Sequence, residues 1–260
     1  PSCFRTGKVA KSMIDVVLFD IGGTLHTVTN NETLRTAFAK RLRERLSDYG
    51  IAITGEDEQI GRRLHENAEE YKHYSEQILG ELPQSRIWNE FYLKDYAIGE
   101  ERLAPISEEL SFLYDYERVR NMRRPHVVET METLHHMGKR LGIISNIIST
   151  SFVPHILREY GIAQYMECVV LSSEAGVRKP DPAIFELALN QLGTTAERTA
   201  YVGDTLSRDV LGARNANLGL MILIENPAIA HRDAGLQGKG IEPDVRIRDL
   251  SEIPDILSKL

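Results

Sequence analysis

A chain of 260 residues, 42% hydrophobic and 27% charged, has the composition of a soluble globular protein, long enough for one large domain or a core with a smaller companion. Its formal net charge of −7 argues against a general nucleic-acid binder, yet leaves room for an anionic substrate in a locally positive pocket. Two cysteines, Cys3 and Cys168, exclude a disulfide framework or a cysteine zinc site, and the lack of any run of about 18 apolar residues excludes a membrane-spanning helix.

The opening stretch, Pro1–Ser12, lacks the apolar core of a signal peptide, and Met13 directly precedes the first apolar run. Residues 1–12 therefore read as an N-terminal extension, and the expected location is cytoplasmic. Ile14 to Phe19 is a short β-branched, apolar run, which predicts a buried strand. It opens into Asp20-Ile21-Gly22-Gly23-Thr24-Leu25, a carboxylate followed by two glycines. Open α/β sheets place ligands beyond the carboxyl ends of their strands, so Asp20 is positioned to attack phosphorus or hold a cation. An ordinary strand-to-loop turn explains the six residues equally well.

After Leu25 the pattern turns helical. Thr29-Asn30-Asn31-Glu32 supplies N-cap types ahead of Leu34, Phe38, Leu42 and Leu46, spaced by four. Helical stretches follow over roughly 56–74, 84–96 and 106–116, punctuated by glycines and prolines, and no β-run stands out between 30 and 124. Seven of the ten tyrosines and the single tryptophan, Trp88, fall in this block. They read more simply as the filling of a small helical core than as a substrate pocket.

From Pro125 onward strands and helices alternate. The predicted strands are 140–145, 168–171, 199–203, 220–224 and 244–247, separated by helices over 126–137, 152–160, 181–192 and 206–216. Such alternation predicts an α/β fold, a doubly wound parallel sheet, with an all-helical unit inserted after its first strand. The expected division is a core of 13–26 and 125–260 with a helical unit of 27–124, hinged near Leu25–Thr27 and Arg123–Pro125.

Three later sites each follow a predicted strand. Ser145-Asn146 offers a hydroxyl and a backbone amide, or simply a helix N-cap. Lys179-Pro180-Asp181-Pro182 carries a lysine that by itself reads as a solvated one. Gly203-Asp204-Thr205-Leu206-Ser207-Arg208-Asp209 sets two carboxylates five residues apart across a strand-to-helix turn, where Asp204 is a cap or a metal ligand.

Asp20–Thr24 resembles the phosphate loop of sugar kinases in the actin/hexokinase superfamily. It equally resembles the first motif of haloacid dehalogenase (HAD) superfamily hydrolases, Asp-x-Asp-x-Thr, except that Gly22 replaces the second Asp. Taken in order on a parallel sheet, Asp20–Thr24, Ser145, Lys179–Pro182 and Gly203-Asp204 with Asp209 resemble the four HAD motifs. The likeness spans about Ile14 to Ile224, whereas the kinase likeness ends at Thr24.

The resemblance implies a Rossmann-like core with a helical cap of the C1 type, and a phosphatase acting on a small phosphorylated substrate. It implies that Asp20 is the nucleophile and that Mg²⁺ is held by Asp20, the Gly22 carbonyl and Asp204. Lys179 would neutralise Asp20 and the phosphate, Ser145 and Asn146 would bind phosphoryl oxygens, and Asp209 would orient Lys179 or a metal-bound water. The missing second Asp leaves the proton work without an owner. His26 lies close by, although an exposed loop histidine is the plainer reading. Other implied classes are a non-enzymatic phosphate-binding relative, a metal-independent dehalogenase and a phosphonatase; for the last, Lys72 is the only lysine between 41 and 93 and sits in no recognisable motif. The chain is expected to be a monomer or homodimer.

Overall fold

A computed structural model of the protein describes residues 14–229, 233, 235–236 and 238–260; the expected extension over 1–12 lies outside them. Among the described residues the strands are β1 (Val16–Phe19), β2 (His26–Thr29), β3 (Arg120–Arg123), β4 (Arg140–Ser145), β5 (Met166–Leu171), β6 (Thr199–Gly203), β7 (Leu220–Ile224) and β8 (Val245–Ile247). Six of them form one parallel sheet in the order β5-β4-β1-β6-β7-β8. β1 lies between β4 and β6, with Phe19 level with Ile143 and Val202. Asp20 therefore emerges from the middle of the sheet at its carboxyl edge.

Every residue of β1, β6 and β7 is buried, as expected of strands covered on both faces. Side-chain alternation divides them between two apolar layers. Val17, Phe19, Ile143, Val202 and Ile222 pack beneath the helices Val127–His136, Phe152–Glu159 and Ile253–Ser258. Val16, Leu18, Ile144, Tyr201 and Met221 pack beneath Pro182–Leu192 and Leu211–Asn215. This is the doubly wound core that the alternating pattern predicts.

Between β2 and β3 the chain is helical. The helices Glu32–Asp48, Asp57–Ile78 and Ser107–Glu117 enclose a core of their own built on Phe38, Leu42, Leu46, Leu64 and Tyr71. Asn31 caps the first of them through its side chain on the Leu34 amide, at 2.9 Å. Trp88, Tyr71, Tyr92 and Tyr114 are buried in that core and stack edge-on with one another, so these aromatics fill the unit rather than line a pocket.

Within the insertion two features depart from the sequence reading. β2 and β3 pair as an antiparallel ribbon at the root of the insertion, so its margins are not helical. The stretch expected as one helix over 84–96 breaks into a short helix, a wide π-type turn at Ile87–Tyr92 and a tight turn at Lys94–Tyr96. None of these helices is long and apolar enough to cross a membrane.

Candidate active site

Beyond the carboxyl edge of the sheet, loops from β1, β4, β5, β6 and β7 converge. Lys179 is only 3% exposed, and its Nζ donates to Asp20 Oδ1 at 2.8 Å, Asp209 Oδ1 at 2.7 Å and the Tyr201 hydroxyl at 2.7 Å. Three donors meet three acceptors, so the ammonium is fully satisfied without water. Burial alone would lower the Lys179 pKa, but Asp20 and Asp209 outweigh it and hold the group above its ordinary value. The solvated reading of this lysine does not hold.

The three acids differ in how completely they are used. Asp209 accepts from Lys179 and Tyr201 on Oδ1, and from the Asp204 and Thr205 amides and the Thr205 hydroxyl on Oδ2. Burial opposes its charge, yet Lys179 and Arg208 prevail and its pKa falls below the usual range. A π-type turn at Leu206–Val210 directs it inward, where the spacing suggests a plain helix. With every lone pair engaged, Asp209 is placed to orient Lys179 and the Asp204 loop rather than to ligate a cation.

Asp204 is the opposite case. Its Oδ2 accepts from Asn226 at 2.7 Å, but its buried Oδ1 has no partner among the described residues. Burial, with the charges of Asp209 and Asp20, pushes its pKa up to about 7. Burial likewise raises Asp20, with Asp209 adding to the effect and Lys179 opposing it. Among the described residues Asp20 Oδ2 has only a long contact to Thr24, at 3.4 Å. Carboxylate oxygens of Asp20, Asp204 and Asp209 lie within 4.8 Å of one another. An orphaned carboxylate oxygen in an acid cluster with too little positive charge fits a hard divalent cation with oxygen ligands.

The paired glycines have separate tasks. Gly23 has φ +88°, and a β-carbon there would collide with the Asp204 carboxylate and with Asn226. Gly22 is not left-handed, and a β-carbon at it would meet nothing within 4 Å. Arg124 holds the loop from outside by donating to the Gly23 carbonyl at 3.0 and 2.8 Å.

Ser145 ends β4, and its buried hydroxyl makes no hydrogen bond among the described residues. The Asn146 side chain is bound both ways to the Lys179 backbone, accepting its amide at 2.9 Å and donating to its carbonyl at 3.0 Å. It therefore fixes the lysine, and only its main-chain amide is free of that task. His26 is not exposed: it is 2% accessible, bonds Tyr160 through Nδ1 at 3.0 Å, and packs edge-on against Phe152 and Tyr160. Burial lowers its pKa to about 4, so the ring is neutral at pH 7.

Tyr201, Thr205 and Asn226 belong to the site without standing out in the sequence. Asn226 could be found from its place two residues beyond β7, at the same sheet edge as Asp20. Tyr201 gives no such signal, because a tyrosine inside an apolar strand reads as core.

Residues 14–217 match the family model of haloacid dehalogenase-like hydrolases. The chain belongs to that family. Over 245 residues this hydrolase is 29% identical to glyceraldehyde 3-phosphate phosphatase of Methanothermobacter thermautotrophicus, covering 94% of this chain and 100% of the relative. A HAD phosphatase from Thermococcus onnurineus is similar in structure, with TM-score 0.58 and 25% identity over 94% of this chain and 98% of that one. A 2-haloacid dehalogenase from Pseudomonas syringae shares the fold, with TM-score 0.62 at 22% identity over 95% and 99%.

Proposed function

We propose that this hydrolase is a Mg²⁺-dependent phosphatase of small phosphorylated metabolites, with Asp20 as nucleophile. The observation that carries the reading is the buried set of Asp20, Lys179, Asp204 and Asp209, in which Asp204 Oδ1 is left without a partner. The phosphatases among its relatives support it. Asp20, the Gly22 carbonyl and Asp204 would hold the cation, which supplies charge neutralisation for a phosphoryl group. Metal-independent dehalogenation is the second reading, supported by the missing acid at Gly22 and the shared fold; the orphaned Asp204 oxygen counts against it.

In this reading the Asp20 carboxylate attacks phosphorus, and the bond from phosphorus to the leaving oxygen breaks. The departing oxygen takes its proton from water. Hydrolysis of the aspartyl-phosphate then releases inorganic phosphate and restores the carboxylate. Lys179 offsets charge on Asp20 and the phosphoryl oxygens, and the Ser145 hydroxyl and Asn146 amide bind one of those oxygens. Asp209 keeps Lys179 charged and aimed. The inserted segment over 27–124, helical between its two ribbon strands, is the cap that closes over the cleft.

Asp20→Asn should abolish turnover of p-nitrophenyl phosphate while leaving the fold intact by circular dichroism. Asp204→Asn should lower activity and weaken the rise in Tm that Mg²⁺ gives the wild type. Near wild-type turnover by Asp20→Asn would end the covalent mechanism.

A further inference from the structure

A cavity of about 400 Å³ lies between the helix Asp57–Ile78 and the loops that carry Lys179 and Asp209. Lys72 and Glu76 line it from the helix, Leu79 from the turn that ends the helix, and Pro180, Ser207 and Arg208 from the core. Pro180 and Arg208 are the chain neighbours of Lys179 and Asp209, so the cavity adjoins the carboxylate cluster. Its size suits a small ligand. No aromatic ring is among these lining residues, which leaves charge as its main means of selection.

Arg208 is the unexplained group in that wall. It is half-buried, and among the described residues its guanidinium makes no hydrogen bond and no ion pair. None of its nitrogens is among the buried atoms left without a partner, so its planar fork of five donors stands open to solvent and is free to take an acceptor. The acids whose fields reach it are Asp209, Asp204, Asp20 and Glu76. Among the described residues none of the four makes an ion pair with it: Asp209 and Asp20 are paired with Lys179, and Asp204 Oδ2 accepts from Asn226. Across the cavity Lys72 has one ion pair, to Glu69 at 3.1 Å, with the side chain 30% exposed. Two cations on opposite walls, one without a partner, form a receptor for an anion.

We infer that Arg208 and Lys72 together bind a second acidic group on the leaving portion of the substrate, so that the enzyme selects small phosphate monoesters bearing a carboxylate or a further phosphate. The inference rests on the phosphatase reading, which places the first phosphate at Asp20. Glu76 shares the wall with Lys72 and its field reaches Arg208, so it opposes an anion there. The anion joins the insertion to the core, because Lys72 belongs to one and Arg208 to the other. If Arg208 served only to offset the carboxylate cluster, its loss would weaken every phosphate ester alike.

Calorimetric titration of the Asp20→Asn protein with Mg²⁺ separates the cases without turnover. The probes are ethyl phosphate, phosphoglycolate and ethylene glycol bisphosphate, which differ in carrying no second acid, a carboxylate or a phosphate. A charge-assisted contact of ordinary strength predicts about tenfold or greater preference for at least one acidic probe over ethyl phosphate. Adding Arg208→Gln should erase that preference, Arg208→Lys should keep part of it, and Glu76→Gln should tighten the acidic probe. Equal binding of all three probes, or an equal loss for all three in Arg208→Gln, overturns the inference. Wild-type turnover of p-nitrophenyl phosphate, whose aryl leaving group needs little proton help, is followed in parallel. A kept preference with no turnover of that aryl ester would sink the phosphatase reading while leaving the anion site standing.

Discussion

Gly22 and Gly23 are adjacent, yet the structure gives them opposite tolerances. Gly23 sits at positive φ against Asp204, so Gly23→Ala should displace the Asp204 carboxylate and lose activity. Gly22 has open space where a side chain would go, so Gly22→Asp should fold. General acid–base assistance is worth about 10²–10⁴-fold in rate, or roughly 3–5 kcal/mol of barrier. Alkoxide leaving groups need nearly all of that help, and aryl or acyl leaving groups need little. Wild type should therefore hydrolyse aryl and acyl phosphates much faster than alkyl ones, and Gly22→Asp should raise alkyl hydrolysis far more than aryl. His26 is no substitute, since its ring is buried with its Nδ1 engaged by Tyr160. A leaving-group series on both proteins checks the point; equal rates for alkyl and aryl esters in wild type would mean that another residue supplies the proton.

At the scale of elements, the segment joining two helices of the insertion is sewn to the loop that precedes Lys179. Glu81 donates its amide to the Gly176 carbonyl at 3.0 Å, and Arg178 donates its own to the Leu79 carbonyl at 3.1 Å. The Glu81 carboxylate is buried between Arg178, Tyr71 and Ser172, and Ser172 in turn holds the Ile147 amide at 2.9 Å. Removing one partner of a buried ion pair leaves an uncompensated charge and costs about 3–5 kcal/mol. Glu81→Leu should thus lower stability by that order in urea unfolding, and Glu81→Leu with Arg178→Met should recover much of it. Additive losses in the double variant would mean that the two side chains do not act as a pair. None of this latch was legible in the sequence, because Glu81 and Arg178 are far apart along it and each reads as a surface charge. The sheet was legible for the converse reason: strands buried on both faces must be apolar throughout, and β4, β6 and β7 match the predicted runs end to end. The β2–β3 ribbon escaped because most of its residues are exposed or half-buried, so no apolar run marks it. Among the candidate site residues, Asp20, Ser145, Lys179, Asp204 and Asp209 stood out only through their ordered likeness to the four HAD motifs; taken singly, Lys179 reads as solvated and Ser145 and Asp204 as helix caps. The wide turn that aims Asp209, and the unpartnered state of Arg208, depend on packing that no local pattern encodes.

For the whole molecule, where the sequence suggests only the two crossings of the chain, the described residues tie the insertion to the core at further places. Phe112 and Tyr116 pack on Phe152 and His155 of the core helix, and three more joints involve the chain crossings and the site loops. The β2–β3 ribbon is the first, with the Arg124 amide bonded to the Leu25 carbonyl at 2.9 Å. The Glu81–Arg178 latch is the second. The third is the loop after Ser145, where Ile148 enters the insertion's apolar core and Glu108 accepts from the Ser149 hydroxyl and from the Thr150 and Ser151 amides. Two of these joints touch loops that carry Lys179 and Ser145, so opening the cleft would disturb the groups proposed to hold phosphate. Binding and closure should then be coupled, because a ligand that favours the closed arrangement lowers the population of the open one. Inorganic phosphate with Mg²⁺ should slow amide hydrogen exchange at residues 79–81, 147–151 and 176–178 together with the ribbon, and Asp204→Asn should abolish the protection. Protection confined to the ribbon would describe a body that swings on its chain crossings alone. Unchanged exchange everywhere at saturating phosphate and Mg²⁺ would mean that the insertion stays fixed on the core and that substrate enters through the cavity as it stands.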